Sequence, residues 1–273
     1  MEKKGNLKKY ERNLTERELS EGTKELYLRQ AVELLDFLKG KPATKKRMIA
    51  YKDYLIDRGL AVTTTNTYIT AVNSYLRFAG YERSRLKTRR IQKRRSLDHI
   101  LSLEEYKTLL DYALESGRKK YYYIMKTLAQ TGIRVSELKY FTVEALAQKA
   151  IIVSNKGKVR EIYLPDHLID ELNAYCDMEE RKNGVIFRGN TQNAISRIAI
   201  YKMLAHMADM TGIARQKVHP HSFRHLFAIT YMEHYSNLFE LADILGHSSL
   251  EITRIYTTTT AEEKRKRMDR LGL

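Results

Sequence analysis

The sequence predicts a mainly α-helical protein with one small β-hairpin, and three observations support that fold class. Proline and glycine are scarce, with 3 and 13 among 273 residues, which disfavours a many-turned β-sandwich. Apolar residues recur at helical spacing over most of the chain. Alternating apolar residues of strand type occur in two short neighbouring runs, joined by Asn155-Lys156-Gly157-Lys158.

The first 82 residues predict a bundle of short helices. The segment Thr23–Leu38 has apolar residues three and four positions apart, and Gly40 and Pro42 follow it as stop signals. The hydroxyls of Thr63–Thr65 are candidate caps for a later helix start. Of the residues before the first predicted helix, only about a dozen are extra to the bundle, so no additional N-terminal module is expected. The predicted helices are Thr23–Leu38, Lys45–Asp57 and Thr67–Phe78.

The second half predicts further helices around the hairpin, whose strands are Lys149–Ser154 and Val159–Leu164. A spacer of four threonines, Thr257–Thr260, separates the last two predicted helices. The helices predicted here are Leu103–Leu114, Lys120–Gln130, Asp166–Glu180, Gln192–Thr211, Ser222–Tyr235, Leu238–Leu245, Leu250–Tyr256 and Glu262–Leu271.

A large positive charge indicates nucleic acid as the partner. Lys and Arg exceed Asp and Glu by 49 − 33 = 16, and the pI is about 9.7. Residues 83–95 contain no acid and are too densely basic for one helix face, which favours an extended interdomain linker on DNA over an unstructured tail. The alternative is a basic protein whose lysines only aid solubility. The basic residues of this segment are Arg83, Arg85, Lys87, Arg89, Arg90, Lys93, Arg94 and Arg95.

These features predict two domains: a helical domain at residues 1–82, a basic linker at 83–97 and a second domain at 98–273. A single cysteine, Cys176, excludes an intramolecular disulfide framework and a cysteine-rich zinc module. No apolar run approaches the ~20 residues of a membrane span, and the polar N-terminus lacks a signal-peptide core. We therefore expect a soluble cytoplasmic protein, associated with the nucleoid when bound to DNA, with no membrane association.

Four signals in the second half point to chemistry on a phosphate, although each alone is common in proteins. An arginine follows a glycine helix stop, a lysine lies at the hairpin tip, a histidine stands three residues before an arginine, and a Gly-His pair precedes a tyrosine by nine residues. The four are Gly132-Ile133-Arg134, Lys156, His221-x-x-Arg224 and Gly246-His247 with Tyr256.

In this order the four signals resemble the catalytic half of the tyrosine recombinase, or phage integrase, family. The resemblance covers nearly the whole chain and implies a helical, SAM-like core-binding domain, a linker and a catalytic domain that ends in a tyrosine helix. It implies a compact, Xer-like recombinase without an arm-binding domain, which cleaves and rejoins DNA through a 3′-phosphotyrosyl intermediate with no metal, cofactor or ATP. The implied partner is double-stranded DNA, with four protomers on synapsed DNA that exchange C-terminal helices from Thr257–Leu273.

The resemblance also implies a role for each catalytic residue. A guanidinium is always charged and can bind two oxygens at once, which suits Arg134 and Arg224 to the non-bridging oxygens of the scissile phosphate. Tyr256 would attack phosphorus and Lys156 would protonate the departing 5′-oxygen. The implied catalytic set is Arg134, Lys156, His221, Arg224, His247 and Tyr256, with His221 and His247 donating hydrogen bonds to the phosphate and His221 able to assist proton transfer.

Some assignments have competitors nearby. Lys158 lies two residues from Lys156, and His219 competes with His221, which alone has the His-x-x-Arg spacing. Glu137 could orient Arg134, although an ordinary surface salt bridge is an equal alternative. His225 is expected to support the site by packing or hydrogen bonding rather than to react.

Two other functions are weighed against recombination. A type IB topoisomerase would relax DNA as a monomer by the same phosphotyrosine chemistry, whereas a core-binding bundle and an exchange helix favour recombination. A DNA-binding protein that merely shares the fold would be expected to lack at least one of the six catalytic residues, and all six are present.

Overall fold

The computed structural model describes residues 2–90, 100–155, 158–190, 192–246, 253 and 269. The chain divides into two compact units, Met1–Arg94 and Arg95–Leu273. Most described residues are helical and the sheet has two strands, so the predicted fold class is confirmed. Among the described residues, no helix combines the length and apolar character needed to cross a membrane.

The N-terminal unit contains one helix more than the sequence patterns predict. Its first helix was missed because charged residues dominate that segment. Tyr10 and Leu14 are nevertheless fully buried, and the ring of Tyr10 packs edge-on against Tyr75 at 5.1 Å between centroids. The helices of this unit are α1 (Glu2–Glu16), α2 (Glu21–Leu38), α3 (Lys45–Asp57) and α4 (Val62–Phe78).

Helix α4 begins earlier than predicted, and its start is not capped by a threonine hydroxyl. The N-cap residue is Ala61, and the Thr65 hydroxyl lies 3.2 Å from the Ala61 carbonyl, to which it donates. Threonine in a helix can make this bond to the carbonyl four residues earlier. The predicted cap at Thr63–Thr65 is therefore wrong.

Residues 85–90 follow a short 3₁₀ helix, Glu82–Ser84, and lie against the N-terminal unit. Leu86 is 6% exposed and belongs to the apolar core of that unit. The compact unit therefore includes part of the segment expected to be a linker, because one apolar side chain anchors it. Lys93, Arg94 and Arg95 lie outside the described residues.

The C-terminal unit is helical around an antiparallel hairpin, β1 (Ala150–Asn155) and β2 (Lys158–Tyr163), in which Ile151 pairs with Ile162. Both isoleucines are 2% exposed and face the core, whereas Val159 on the other face is 69% exposed. The turn residues 156 and 157 lie outside the described residues. The helices here are α5 (Leu103–Glu115), α6 (Lys119–Thr131), α7 (Val143–Ala147), α8 (Asp166–Met178), α9 (Arg197–Thr211), α10 (Pro220–Tyr235) and α11 (Leu238–Leu245).

Three local differences from the predicted elements matter for the site. A 3₁₀ helix, Val135–Tyr140, follows α6 directly, and neither it nor α7 was predicted because both are too short to show a period. Helix α9 begins at Arg197, because the Ser196 hydroxyl caps it by accepting from the Ala199 amide at 3.1 Å. The predicted helices Leu250–Tyr256 and Glu262–Leu271 fall almost wholly outside the described residues.

Candidate active site

The end of α6 determines where Arg134 lies. Gly132 ends the helix in the left-handed conformation, with φ of 60°, and its amide donates to the Leu128 carbonyl at 3.1 Å. A Cβ at this position would lie 2.5 Å from Cδ1 of Phe227 on α10, so close packing as well as conformation requires glycine. Arg134 thus leaves the helix end at a place fixed against α10.

Three arginines donate hydrogen bonds to consecutive carbonyls at the end of α11. Each arginine binds a different carbonyl, and the carbonyls are those of residues 244, 245 and 246. A helix C-terminus carries partial negative charge on its unpaired carbonyls, so the cations stabilise it. The next residue in the chain is His247. The three contacts are Arg160 Nη1 to Ile244 O at 2.5 Å, Arg224 Nη2 to Leu245 O at 2.6 Å and Arg134 Nη2 to Gly246 O at 3.0 Å.

Arg224 connects the ends of two helices. It is 5% exposed, and besides its bond to Leu245 its Nη1 donates to the Gly132 carbonyl at 2.7 Å. A buried charge is costly unless hydrogen bonds compensate it. The carbonyl at the end of α6 and the carbonyl at the end of α11 supply that compensation, and they fix the guanidinium between the two motifs.

Glu137 is a buried carboxylate between two arginines. It is 2% exposed, its Oε1 lies 3.2 Å from Arg134 Nη1, and its Oε2 lies 2.6 Å from Arg160 Nη2. The same Oε2 accepts from the Arg134 backbone amide at 2.8 Å. The pair with Arg134 is therefore not a surface salt bridge, and the carboxylate holds both the backbone and the side chain of Arg134.

Arg160 is the member of this cluster that the sequence analysis missed. It pairs across the hairpin with Val153, which is 1% exposed, so it lies on the face of β2 that points to the core. A single arginine on the apolar face of a short strand is the signal that could have identified it. Arg160 joins the hairpin to the end of α11.

His219 and His221 have different surroundings at the start of α10. His219 is the N-cap residue, and its Nδ1 accepts from the Ser222 amide at 3.2 Å. His221 is exposed on the first turn. Although the residue is exposed, neighbouring atoms desolvate part of its ring and lower the pKa of His221, and His219 together with cationic groups that include Arg224 and Arg134 lowers it further. Both effects favour the neutral form of the His221 imidazole.

His225 lies four residues after His221 on the same side of α10, and it is half-buried. Burial, followed by the neighbouring histidines and Arg224, lowers the pKa of His225 to about 4. The ring is therefore neutral at physiological pH.

The described residues thus include part of the expected site. Arg134, Arg224 and Glu137 meet at the end of α11, and Arg83, Lys87 and Arg90 are exposed on the N-terminal unit, with Arg85 and Arg89 half-buried there. Lys156, His247 and Tyr256 lie outside the described residues.

Comparison with known proteins identifies the family. The model of the phage integrase family matches residues 99–263. Tyrosine recombinase XerA of Thermococcus kodakarensis is 30% identical over 229 residues, 81% of this chain and 79% of that protein. Tyrosine recombinase XerD of Staphylococcus aureus is 27% identical over 231 residues, 78% of this chain and 77% of that protein. The chain therefore belongs to the phage integrase family, as its motifs predicted.

The fold is shared with solved structures as well. The structure of the Tn1549 transposon integrase in complex with circular intermediate DNA matches with a TM-score of 0.77 and 18% identity. The match covers 97% of this chain and 99% of that chain. At this identity the similarity establishes the common fold over both units.

Proposed function

We propose that this protein is a site-specific DNA recombinase that cleaves and rejoins DNA strands through a 3′-phosphotyrosyl intermediate. The observation that carries the proposal is the convergence of Arg134 and Arg224 on adjacent carbonyls, Gly246 O and Leu245 O, at the end of α11. Arg134 lies 112 residues from its partner carbonyl in sequence, and Arg224 lies 21 from its own. Two cations from separate motifs are thereby held at the end of α11.

The arginines suit the charge that develops when a phosphodiester is cleaved without a metal. A guanidinium has five N–H donors, and the contacts of the Arg134 side chain to Glu137 and Gly246 use two of them. The Arg134 side chain is 31% exposed, so its other donors can reach a phosphate oxygen. Because the protein holds these donors in place before substrate binds, little reorganisation is needed in the transition state.

Tyr256 is the proposed nucleophile. Its Oη forms a bond to phosphorus, the bond from phosphorus to the 5′-oxygen breaks, and the phenolic proton passes to His221. A phenol has a pKa near 10, so its deprotonation needs both a cationic surrounding and an acceptor. The lowered pKa of His221 favours the neutral imidazole, which is the form that can accept that proton.

Lys156 is the proposed general acid, which gives a proton to the departing 5′-oxygen. Its place in the turn between β1 and β2 puts it four residues before Arg160, whose side chain is bonded to the end of α11. The hairpin and the arginine cluster are thus mechanically connected. Lys158 remains the competing candidate.

Rejoining follows by the reverse reaction. The 5′-hydroxyl of a partner strand attacks the phosphotyrosine, a new phosphodiester forms and Tyr256 leaves as the phenol. The number of phosphoester bonds is unchanged at each step, so no ATP is required. His247 donates a further hydrogen bond to the phosphate in both directions.

The proposed partner is double-stranded DNA, since the integrase with the same fold was solved in complex with DNA. Strand exchange between two duplexes needs four active sites, so we propose a homotetramer on synapsed DNA, linked by exchange of C-terminal helices from Thr257–Leu273. The protein would then work in the cytoplasm, at the nucleoid. Native mass measurement of the DNA complex, with and without residues 257–273, tests this assembly.

Relaxation of supercoils by a single protomer is the alternative task for the same chemistry. The relatives that match over most of this chain are named recombinases, which favours strand exchange. A plasmid with two copies of the target site distinguishes the functions: recombination yields rearranged circles, whereas a topoisomerase yields relaxed circles of unchanged sequence.

Covalent trapping tests the nucleophile. A nicked suicide duplex built from inverted repeats beside the gene should become attached to the wild-type protein, because the short cleaved strand diffuses away. Tyr256→Phe should bind the duplex and form no adduct. Tyr235→Phe is the matched control, since Tyr235 is a 69% exposed phenol on α10, and it should form adduct at the wild-type rate. An adduct in Tyr256→Phe would refute the proposal.

A further inference from the structure

Two asparagines of α4 hold the basic segment that follows the helices of the N-terminal unit. Asn73 donates from Nδ2 to the Leu86 carbonyl and accepts the Leu86 amide on Oδ1, both at 2.8 Å. Asn66 makes the same pair of bonds to Arg89, at 2.9 Å to the carbonyl and 2.7 Å from the amide. Each side-chain amide thus pairs with both backbone groups of one residue.

The spacing of these pairs shows why the segment fits. Asn66 and Asn73 are seven residues apart, about 10.5 Å along a helix at 1.5 Å per residue. Leu86 and Arg89 are three residues apart, about 9.3 Å in a polyproline II segment, which also presents every third residue to the same side. Arg85, with φ −55° and ψ 144°, has this conformation. The segment therefore runs antiparallel to α4 in register.

Helix α3 and the apolar core hold the same segment from other directions. Lys52 Nζ donates to the Lys87 carbonyl at 2.8 Å, and Lys45 Nζ donates to the Arg85 carbonyl. The Leu86 side chain is buried in the core of the unit. Other groups of the protein thus hold four residues of the segment, Arg85, Leu86, Lys87 and Arg89. The segment is therefore positioned before any ligand binds.

This arrangement forms a cleft of about 460 Å³ between α4 and the segment. Four cationic side chains line it, together with hydroxyl groups and Asn73. The Glu82 carboxylate, 3.9 Å from Arg77 Nε and 3.7 Å from Arg85 Nη1, offsets part of the charge and leaves an excess of positive charge. The cations are Arg17, Arg77, Arg85 and Lys87, and the hydroxyls are those of Tyr27, Thr70, Ser74 and Thr88.

We propose that this cleft is a preformed site for a backbone phosphate of DNA, and that Asn66 and Asn73 are positioning residues that hold its wall. Guanidinium, ammonium and hydroxyl donors are the groups that bind phosphate oxygens. A segment ordered in advance loses less conformational entropy on binding, so the two neutral asparagines contribute to DNA affinity through the position of the segment. The choice of DNA as ligand rests on the proposed function.

Salt dependence of binding separates the two parts of this proposal. Affinity of the full chain for a fluorescent 30-bp duplex of arbitrary sequence is measured by anisotropy over a range of salt concentrations. Arg77→Gln and Lys87→Gln should each reduce the slope of log K against log[salt], by up to about 0.9, the value for complete loss of one phosphate contact. Lys8→Gln, an exposed lysine of α1, is the charge control and should leave the slope unchanged. Unchanged slopes in both cleft variants would overturn the site.

The asparagines are tested by a change that removes no charge. The double variant Asn66→Ala/Asn73→Ala should bind the duplex on the order of tenfold more weakly, whereas Thr67→Ala, an exposed polar residue on the same helix, should bind like the wild type. Hydrogen exchange of the wild type without DNA provides a second measurement, which does not depend on the variant folding. The Leu86 and Arg89 amides should be protected, and exchange at the rate of an unstructured chain would overturn the positioning role.

Further measurements distinguish a failure of the proposed cleft from a failure of the proposed recombinase function. Inorganic phosphate at constant ionic strength should not displace the duplex, and displacement would show a site for free phosphate instead. A wild type that binds no duplex and forms no covalent adduct overturns the proposed function itself. A wild type that forms the adduct, with cleft variants that keep the full salt slope, overturns the cleft alone.

Discussion

A Cβ on Gly246 would lie 2.5 Å from Cδ of Arg160 and 2.9 Å from its Nε. The residue that ends α11 therefore packs directly on a side chain from β2. Since the Arg160 guanidinium also bonds the Ile244 carbonyl, the hairpin and the end of α11 form one unit. Strand β2 and the end of α11 are thereby held in a fixed relation.

Substitution of Gly246 should therefore affect more than backbone conformation. Gly246→Ala places a methyl group against Arg160 at a φ of 61°, so we expect a loss of stability well above the ~1–2 kcal/mol of left-handed strain and a strong loss of DNA cleavage. Gly212→Ala is the matched control, with φ of 70° and nothing within 4 Å of the added carbon. Urea unfolding and the suicide-duplex assay measure both effects. Equal losses in the two variants would show that the contact with Arg160 has no role.

The Arg160–Glu137 pair should be energetically coupled. Arg160→Met leaves Glu137, which is 2% exposed, with one cationic partner fewer, and we expect the free energy of unfolding to fall by about 3 kcal/mol. Adding Glu137→Gln should recover part of that loss, because the buried charge is removed. Arg215→Met is the control, since its 2.5 Å pair with Asp209 is exposed and should contribute little to the free energy of unfolding. Additive losses in the double variant would argue against coupling.

Sequence patterns predicted most of the helices and the hairpin because their apolar periods are long enough to recognise. They missed α1, in which charged residues outnumber apolar ones, although Tyr10 and Leu14 complete the core. They also missed the short 3₁₀ helix Val135–Tyr140. Both depend on tertiary contacts, which local propensity does not encode.

The same limit applies to the site. Arg134 and Arg224 could be selected from motif spacing, whereas their attachment to the carbonyls of residues 245 and 246 depends on the packing of α6, α10 and α11. Arg160 has no motif of its own to mark it, and its role follows from a contact 84 residues away in sequence. Spacing identifies reactive groups, and the packed structure identifies the groups that hold them.

His225 should make stability depend on pH. Its pKa of about 4 in the folded protein lies below the ~6.5 of an unperturbed histidine, so the unfolded chain binds a proton more readily. The stability it contributes is full above pH 6.5 and is lost as the pH falls towards 4, by on the order of 3 kcal/mol. His225→Gln should flatten this part of the urea-unfolding profile, whereas His234→Gln, an exposed histidine on α10, should not. Parallel profiles for all three proteins would contradict the assignment.

Replacing Arg134 and replacing Arg224 should lower the free energy of unfolding by different amounts and slow DNA cleavage to a similar extent. Arg224→Ala leaves the Gly132 and Leu245 carbonyls without their donor, so we expect a loss of about 3 kcal/mol in unfolding free energy. Arg134→Ala should cost about 1 kcal/mol, because its side chain is 31% exposed and Glu137 keeps its partner on β2. Both should slow adduct formation by about 10²–10³-fold. Cleavage at the wild-type rate in either variant would show that the phosphate is held elsewhere.

Substitution of sulfur at the leaving group distinguishes Lys156 from Lys158 as the general acid. A general acid is needed because a 5′-alkoxide is a poor leaving group, whereas a thiolate, with a thiol pKa of about 8.5, leaves without one. A suicide duplex with sulfur in place of the 5′-bridging oxygen should therefore restore cleavage to Lys156→Ala, which on the ordinary duplex should be slower by about 10²–10⁴-fold. Lys158→Ala is the matched control from the same hairpin and should need no rescue. If sulfur rescued only Lys158→Ala, the general acid would be Lys158. If sulfur did not relieve the defect of Lys156→Ala, Lys156 would bind DNA rather than donate the proton.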